Sequence, residues 1–81
     1  IYPVGSLVLL DTDEIAIVHQ PNDDNLYRPK VKIIATRDGQ KIAPVIADLN
    51  QQSGGGFSKN ITRVLDAEKF GMDVGSYLVD Y

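Results

Sequence analysis

The chain has 81 residues, of which 43% are hydrophobic and none is cysteine, and it carries a formal net charge of −3. That leaves room for one domain with a modest core, and it excludes a disulfide framework and a thiolate metal site. A nucleic-acid binder would carry a basic footprint, and here only Arg28, Lys30 and Lys32 lie close together, so nucleic acid and anionic membrane are disfavoured as partners.

Ile1–Gly5 leads in, with Pro3 holding Tyr2 extended and Gly5 allowing a bend. The spacing predicts a first strand over Ser6–Leu10, apolar on both faces, and a second over Glu14–Gln20, with Asp11-Thr12-Asp13-Glu14 as the hairpin tip between them. Pro21-Asn22-Asp23-Asp24-Asn25 is a loop. A third strand, Lys30–Thr36, alternates Val31, Ile33 and Ala35 with Lys30, Lys32 and Ile34, which predicts one buried face and one partly solvated face. Arg37-Asp38-Gly39-Gln40 is the clearest hairpin turn, and it leads into a fourth strand, Lys41–Ile42 resuming at Val45–Ile46, which Pro44 interrupts as expected for an edge or bulged strand.

From Asp48 to Ser58 the sequence reads as flexible, because Asn50–Gly56 holds three glycines and nothing apolar to bury. Ile61–Leu65 is a last strand. Asp66–Gly71 then reads as one helical turn, with Asp66 as its N-cap and Gly71 as its stop, and Asp73–Leu78 as a second. Phe70, Val74, Tyr77 and Leu78 are expected to plug one end of the sheet. The expected core is Tyr2, Leu7, Leu9, Ile15, Ile17, Val31, Ile33, Ile61 and Leu65. These elements predict a mostly β fold: a small five-stranded SH3-like, or OB-like, partly open barrel with one or two short C-terminal helical turns.

The candidate chemistry is sparse. His19, the one histidine, stands at a strand end with Asp23 and Asp24 nearby, and reads as a polar residue where the strand leaves the core. Asp11-x-Asp13-Glu14 opens like a calcium loop, but Ala16 and Asn22 stand where the loop needs glycine and glutamate. Gly54-Gly55-Gly56 is followed by Phe57-Ser58-Lys59 and lacks the Gly-Lys-Ser/Thr of a phosphate loop, so it reads as a slack loop. No nucleophile elbow surrounds Ser6, Ser53, Ser58 or Ser76. We therefore expect no catalytic residue, no metal ligand and no cofactor in this chain.

Two family resemblances bear on function. Arg28-x-x-x-Lys32 with Asp48-x-Asn50-x-x-Ser53 loosely resembles the PilZ pattern, with lysine for the second arginine, asparagine for the serine and the glycine one place late. That resemblance implies cyclic di-guanylate binding through Arg28, Lys32, Asp48 and Asn50, two cations gripping phosphates and the arginine stacking on guanine.

The second resemblance spans nearly the whole chain. Tyr2–Val8, Glu14–Val18, and Asn22 with Arg28–Val31 resemble the region after the catalytic domain in many HD-GYP phosphohydrolases. Asp38-Gly39, Asp48-Leu49, Val64-Leu65-Asp66, Phe70–Asp73 and Tyr77-Leu78 continue the likeness. Asp13 stands where that family often has glycine, and so does Ala16. The resemblance implies a bacterial, cytoplasmic parent enzyme that hydrolyses cyclic di-guanylate at a metal centre. With one histidine, no His-Asp pair and no Gly-Tyr-Pro, this chain is expected to be the non-catalytic C-terminal accessory domain of that parent. The chain starts at Ile1 and its one Met is Met72, which reads as a single domain, 1–81, excised from a longer protein. Its expected partners are the other domains of its own parent chain, with a homodimer as a further possibility. The alternatives are a PilZ-like ligand-binding module and a free-standing SH3-like protein-interaction domain.

Overall fold

The computed structural model describes residues 1–79. Seven strands are formed: β1 (Leu7–Leu10), β2 (Ile15–Gln20), β3 (Lys30–Ala35), β4 (Lys41–Asp48), β5 (Gln52–Ser53), β6 (Gly56–Phe57) and β7 (Ile61–Leu65). A 3₁₀ turn, Val74–Tyr77, follows them. Five strands make one antiparallel sheet in the order β4-β3-β2-β1-β7, and β5 and β6 pair separately. The sheet leaves β4 and β7 as its two edges, so the fold is mostly β and the SH3-like barrel is partly open.

Both hairpin turns close in the same way. Asp13 N–H bonds Leu10 O and Leu10 N–H bonds Glu14 O, each at 2.9 Å. Gly39 N–H bonds Thr36 O and Thr36 N–H bonds Gln40 O, again at 2.9 Å. Each is a three-residue loop whose last residue is left-handed, the arrangement that makes a bulge at the turn. Gly39 takes φ 81° without cost, whereas Asp13 takes φ 66° with a side chain present.

Register explains why both faces of the sheet are apolar. Val64, Val8, Ala16, Ile33 and Val45 are cross-strand neighbours on face one, and Leu65, Leu7, Ile17, Lys32 and Ile46 on face two. Face one buries Val8, Leu10, Ala16, Val18, Val31, Ile33 and Leu49, with Tyr2, Ile42, Ala47 and Ile61 packed around them. Face two buries Leu7, Ile17 and Ile34 under Ile15, Leu65, Ala67, Met72, Val74, Tyr77 and Leu78. The expected core residues Leu7, Ile17, Val31 and Ile33 are buried, and Tyr2, Ile15, Ile61 and Leu65 pack at its margin. Leu9 is only half-buried.

The third strand corrects its reading: Ile34 is as buried as Val31, because the C-terminal segment covers face two. That segment begins as predicted. Asp66 Oδ1 accepts from Glu68 N–H at 3.1 Å, and Gly71, at φ 64°, ends the turn. Met72 N–H bonds Ala67 O and Gly71 N–H bonds Glu68 O, the paired bonds of a Schellman stop. Phe70 is exposed and plugs nothing; Ala67 and Met72 take its place. Gly5 beside this cover takes φ 94°, a left-handed angle that any side chain would strain.

Two further expectations change. β4 runs unbroken from Lys41 to Asp48 in place of two pieces, while Pro44 sits, as its interruption of the pattern predicts, in a bulge on an edge strand, at the register shift between Ile33 and Ala35. The stretch read as slack is a hairpin: Gln52 pairs with Phe57 and Ser53 with Gly56. Gly54 and Gly55 sit at φ 61° and 86°, the two positive angles a two-residue turn needs. Here the glycines serve a tight turn rather than freedom.

Candidate functional site

The polar side chains gather in a clasp along the rim of face one. Asn22, from the loop after β2, donates through Nδ2 to Arg28 O at 2.6 Å and to Asp48 Oδ1 at 2.8 Å. Asp48 Oδ1 also accepts from Asn50 N–H at 3.0 Å. One asparagine thus ties the loop between β2 and β3 to the end of β4, and Leu49 N–H bonding Pro29 O at 3.1 Å closes the same junction.

Arg28 carries the clasp onward. Its guanidinium lies over the Phe57 ring, 3.5 Å from the centroid, and donates to Lys59 O at 3.3 and 3.4 Å and to Asn60 Oδ1. Asn60 then binds Asp11 from two atoms: Nδ2 to Oδ2 at 2.8 Å and N–H to Oδ1 at 3.0 Å. Beside it Lys59 Nζ meets Glu14 Oε1 at 2.6 Å, and Thr12 Oγ1 donates to the same oxygen at 2.6 Å. The hairpin tip that sequence treats as a charged turn is therefore pinned to the strand β7 junction.

Electrostatics agree with this placement. The Asn60 side chain, then its backbone, holds the Asp11 carboxyl below its ordinary value. For Glu14, partial burial pushes the carboxyl up, but the hydrogen bonds from Lys59 and Thr12 and the Lys59 charge outweigh it, and the net direction is down.

Of the residues named for a dinucleotide site, Arg28, Asp48 and Asn50 are brought together through Asn22. Lys32 lies elsewhere: it belongs to the face-two row and its Nζ donates to Tyr77 O at 2.6 Å. The Arg28 guanidinium is turned to Phe57, Lys59 and Asn60, not outward. His19 is half-buried in β2. Among the described residues, no group of three or more His, Cys, Asp or Glu is placed to hold a metal ion, and no helix is long and apolar enough to cross a membrane.

Sequence reasoning missed Asn22, Phe57, Lys59 and Asn60 as a unit. Their partners lie up to 49 positions away along the chain, so no local pattern could signal them. A 290 Å³ cleft opens next to the clasp, between the end of β4 and the β5–β6 hairpin, walled by Ile46, Asp48, Gln52, Ser58 and Lys59 among others.

The fold and the clasp together define a small β domain in which the clasp side chains hold the domain's own loops in place. A family model described as "KOW domain associated with HD domain" matches residues 7–71. The chain belongs to that family, and is an accessory domain of HD-domain proteins. No curated protein and no solved structure matches it.

Proposed function

We propose that this chain is the C-terminal structural and interaction domain of a bacterial, cytoplasmic HD-GYP-type metal-dependent phosphohydrolase in cyclic di-guanylate signalling. The observation that carries the reading is the family match over residues 7–71 to a domain described by its association with HD domains. The resemblance of nearly the whole chain to the region after HD-GYP catalytic domains supplies the finer statement. In this reading hydrolysis belongs to the HD portion, and residues 1–81 pack against it or bring two copies together.

The test is made on the parent protein. Metal-dependent cleavage of cyclic di-guanylate is expected from the upstream portion, with its rate or oligomeric state altered when residues 1–81 are removed. An upstream HD domain that lacks Gly-Tyr-Pro and leaves cyclic di-guanylate intact would remove the signalling part of the proposal. Calorimetric titration of residues 1–81 with cyclic di-guanylate separates the PilZ-like alternative. Micromolar binding lost in Arg28→Ala would replace the purely structural reading.

A further inference from the structure

The two three-residue hairpin loops differ in one chemical respect. In the first, the residue ahead of left-handed Asp13 is Thr12, whose hydroxyl is bonded to Glu14. In the second, the residue ahead of left-handed Gly39 is Asp38, a carboxylate. An aspartate followed by glycine is the pair most prone to cyclise onto its own main chain, because glycine puts no side chain beside the attacking nitrogen. The turn demands glycine at φ 81°, so the fold itself keeps that pair in place.

The conditions for this reaction coincide at Asp38. Asp38-Gly39 is the chain's one Asp-Gly pair, and no asparagine precedes glycine. Residues 37–40 are exposed, and nothing lies within 4 Å of the place a Gly39 Cβ would take. Other carboxylates are engaged: Asp11 by Asn60, Asp48 by Asn22 and Asn50, Asp66 by Glu68 N–H, and Asp13 by Arg37. Asp23, Asp24 and Asp73 are followed by residues that carry side chains. Among the described residues the Asp38 carboxylate has no such partner. The brake on the reaction is the bond from Gly39 N–H to Thr36 O at 2.9 Å, which sits at an exposed hairpin end, where local opening costs least.

We infer that Asp38-Gly39 is a site of spontaneous backbone isomerisation that loosens the near end of β4 as the protein ages. The Gly39 nitrogen attacks Asp38 Cγ. The protonated carboxyl loses its hydroxyl, which leaves as water with the Gly39 amide proton, and a succinimide closes. Water then adds back. Addition at Cγ restores aspartate, whereas addition at the main-chain carbonyl leaves the chain running through Cβ and Cγ, an isoaspartate. No oxidant, reductant or cofactor enters the balance. The product lengthens the main chain by a methylene between Thr36 and Gln40, where two bonds fix the loop: Gly39 N–H to Thr36 O and Thr36 N–H to Gln40 O. The damage is expected to stop at the register shift between Ile33 and Ala35, because the pairs beyond it, from Val45 with Ile33 to Asp48 with Lys30, form a regular run of their own. The site is independent of what the domain is attached to.

The experiment ages the full-length protein at physiological temperature and neutral pH, labels isoaspartyl carboxylates with an isoaspartyl methyltransferase, and maps the label by peptide mass spectrometry. The expected result is label at position 38 ahead of every other aspartate, and none there in Asp38→Ser, where serine suits the same turn. Asp38→Asn closes the same ring with ammonia as the leaving group, so it should gain isoaspartate at 38 sooner than the unsubstituted protein. In the isomerised fraction, amides of residues 36–42 should exchange on the order of tenfold faster than in fresh protein, with residues 46–48 unchanged. Label at 38 in urea-unfolded chain but not in folded protein overturns the inference, and would mean that the Thr36 bond holds the pair shut. Label appearing first at another aspartate, or at 38 in neither state, overturns it as well. Label at 38 with unchanged exchange over residues 36–42 overturns the loosening of β4.

Discussion

The core cluster on face one holds seven buried residues, six from the strands plus Leu49, and that on face two holds three. The difference lies in what covers them. Around face one, the segments at Asp48–Asn50 and Lys59–Ile61 are bound to the hairpin loops by the Asn22, Arg28 and Asp11 hydrogen bonds. Face two is covered by residues 67–78, whose backbone bonds run largely within the segment itself, with Lys32 Nζ to Tyr77 O reaching across from the sheet. None of the covering side chains there is fully buried. One face is closed by directed polar bonds and the other by apolar contact, so the two should respond differently to the same kind of damage.

The largest effect tests that contrast directly. Leu10→Ala on face one should cost about 3–4 kcal/mol, near the upper part of the range for buried leucine. Leu7→Ala, equally buried on face two, should cost about 2–3 kcal/mol, because a half-exposed cover can settle into the gap. Paired urea denaturations measure both. A reversed order would mean that the C-terminal segment is the more rigid cover.

Next comes the clasp. Arg28→Ala removes the stacking on Phe57 and the bonds to Lys59 O and Asn60, and should cost about 2 kcal/mol. Its effect should appear as faster amide exchange at residues 52–60 with little change at residues 67–78. Equal loosening of both regions would show the two covers to be one cooperative unit.

Asp13→Gly works in the opposite direction. The substitution relieves a left-handed residue at the turn, and what it gives up is a 3.5 Å contact to Arg37 between two exposed side chains. Stabilisation of about 0.5–1 kcal/mol is expected in the melting curve, since an exposed ion pair contributes little. Gly39, which already has glycine at the equivalent position of the second hairpin, should lose stability when changed to alanine.

The smallest effect is pH dependence. Asp11 and Glu14 both sit below their ordinary values of 3.8 and 4.5 in the folded chain. The unfolded chain therefore binds protons first, and the stabilisation is complete above about pH 4.5 and lost as pH falls through the lower folded values. Glu14→Gln should flatten the acid side of the stability profile by about a few tenths of a kcal/mol, the group being near the surface. Urea midpoints at pH 6 and pH 3 read this out. An unchanged slope would assign the acid sensitivity to carboxylates outside the clasp.

Much of the architecture was legible in the chain. Short apolar runs marked β1, β2, β3 and β7, because alternation and turn chemistry act between neighbouring residues. Asp66 and Gly71 marked one helical turn for the same reason. The candidate site was scarcely legible. The PilZ-like resemblance groups Arg28, Lys32, Asp48 and Asn50, whereas the fold joins Arg28 and Asp48 through Asn22, ties Asn50 to Asp48, and sends Lys32 to the other face. The glycines of 54–56 misled, since the same residues suit a slack loop and a tight turn, and only the pairing of Gln52 with Phe57 distinguishes them.

By itself the sequence determined most strands of the five-stranded sheet, its two three-residue hairpin turns and the likeness to a domain that accompanies HD proteins. These rest on local backbone preference and on motif order along the chain. Tertiary structure decided that Ile34 is buried, that Gln52 pairs with Phe57 across a tight turn, and that Arg28 lies on Phe57. The second is a choice that glycine leaves open. The first and the last depend on segments far apart in sequence meeting in the fold, and such a meeting leaves no local mark in the residues that make it.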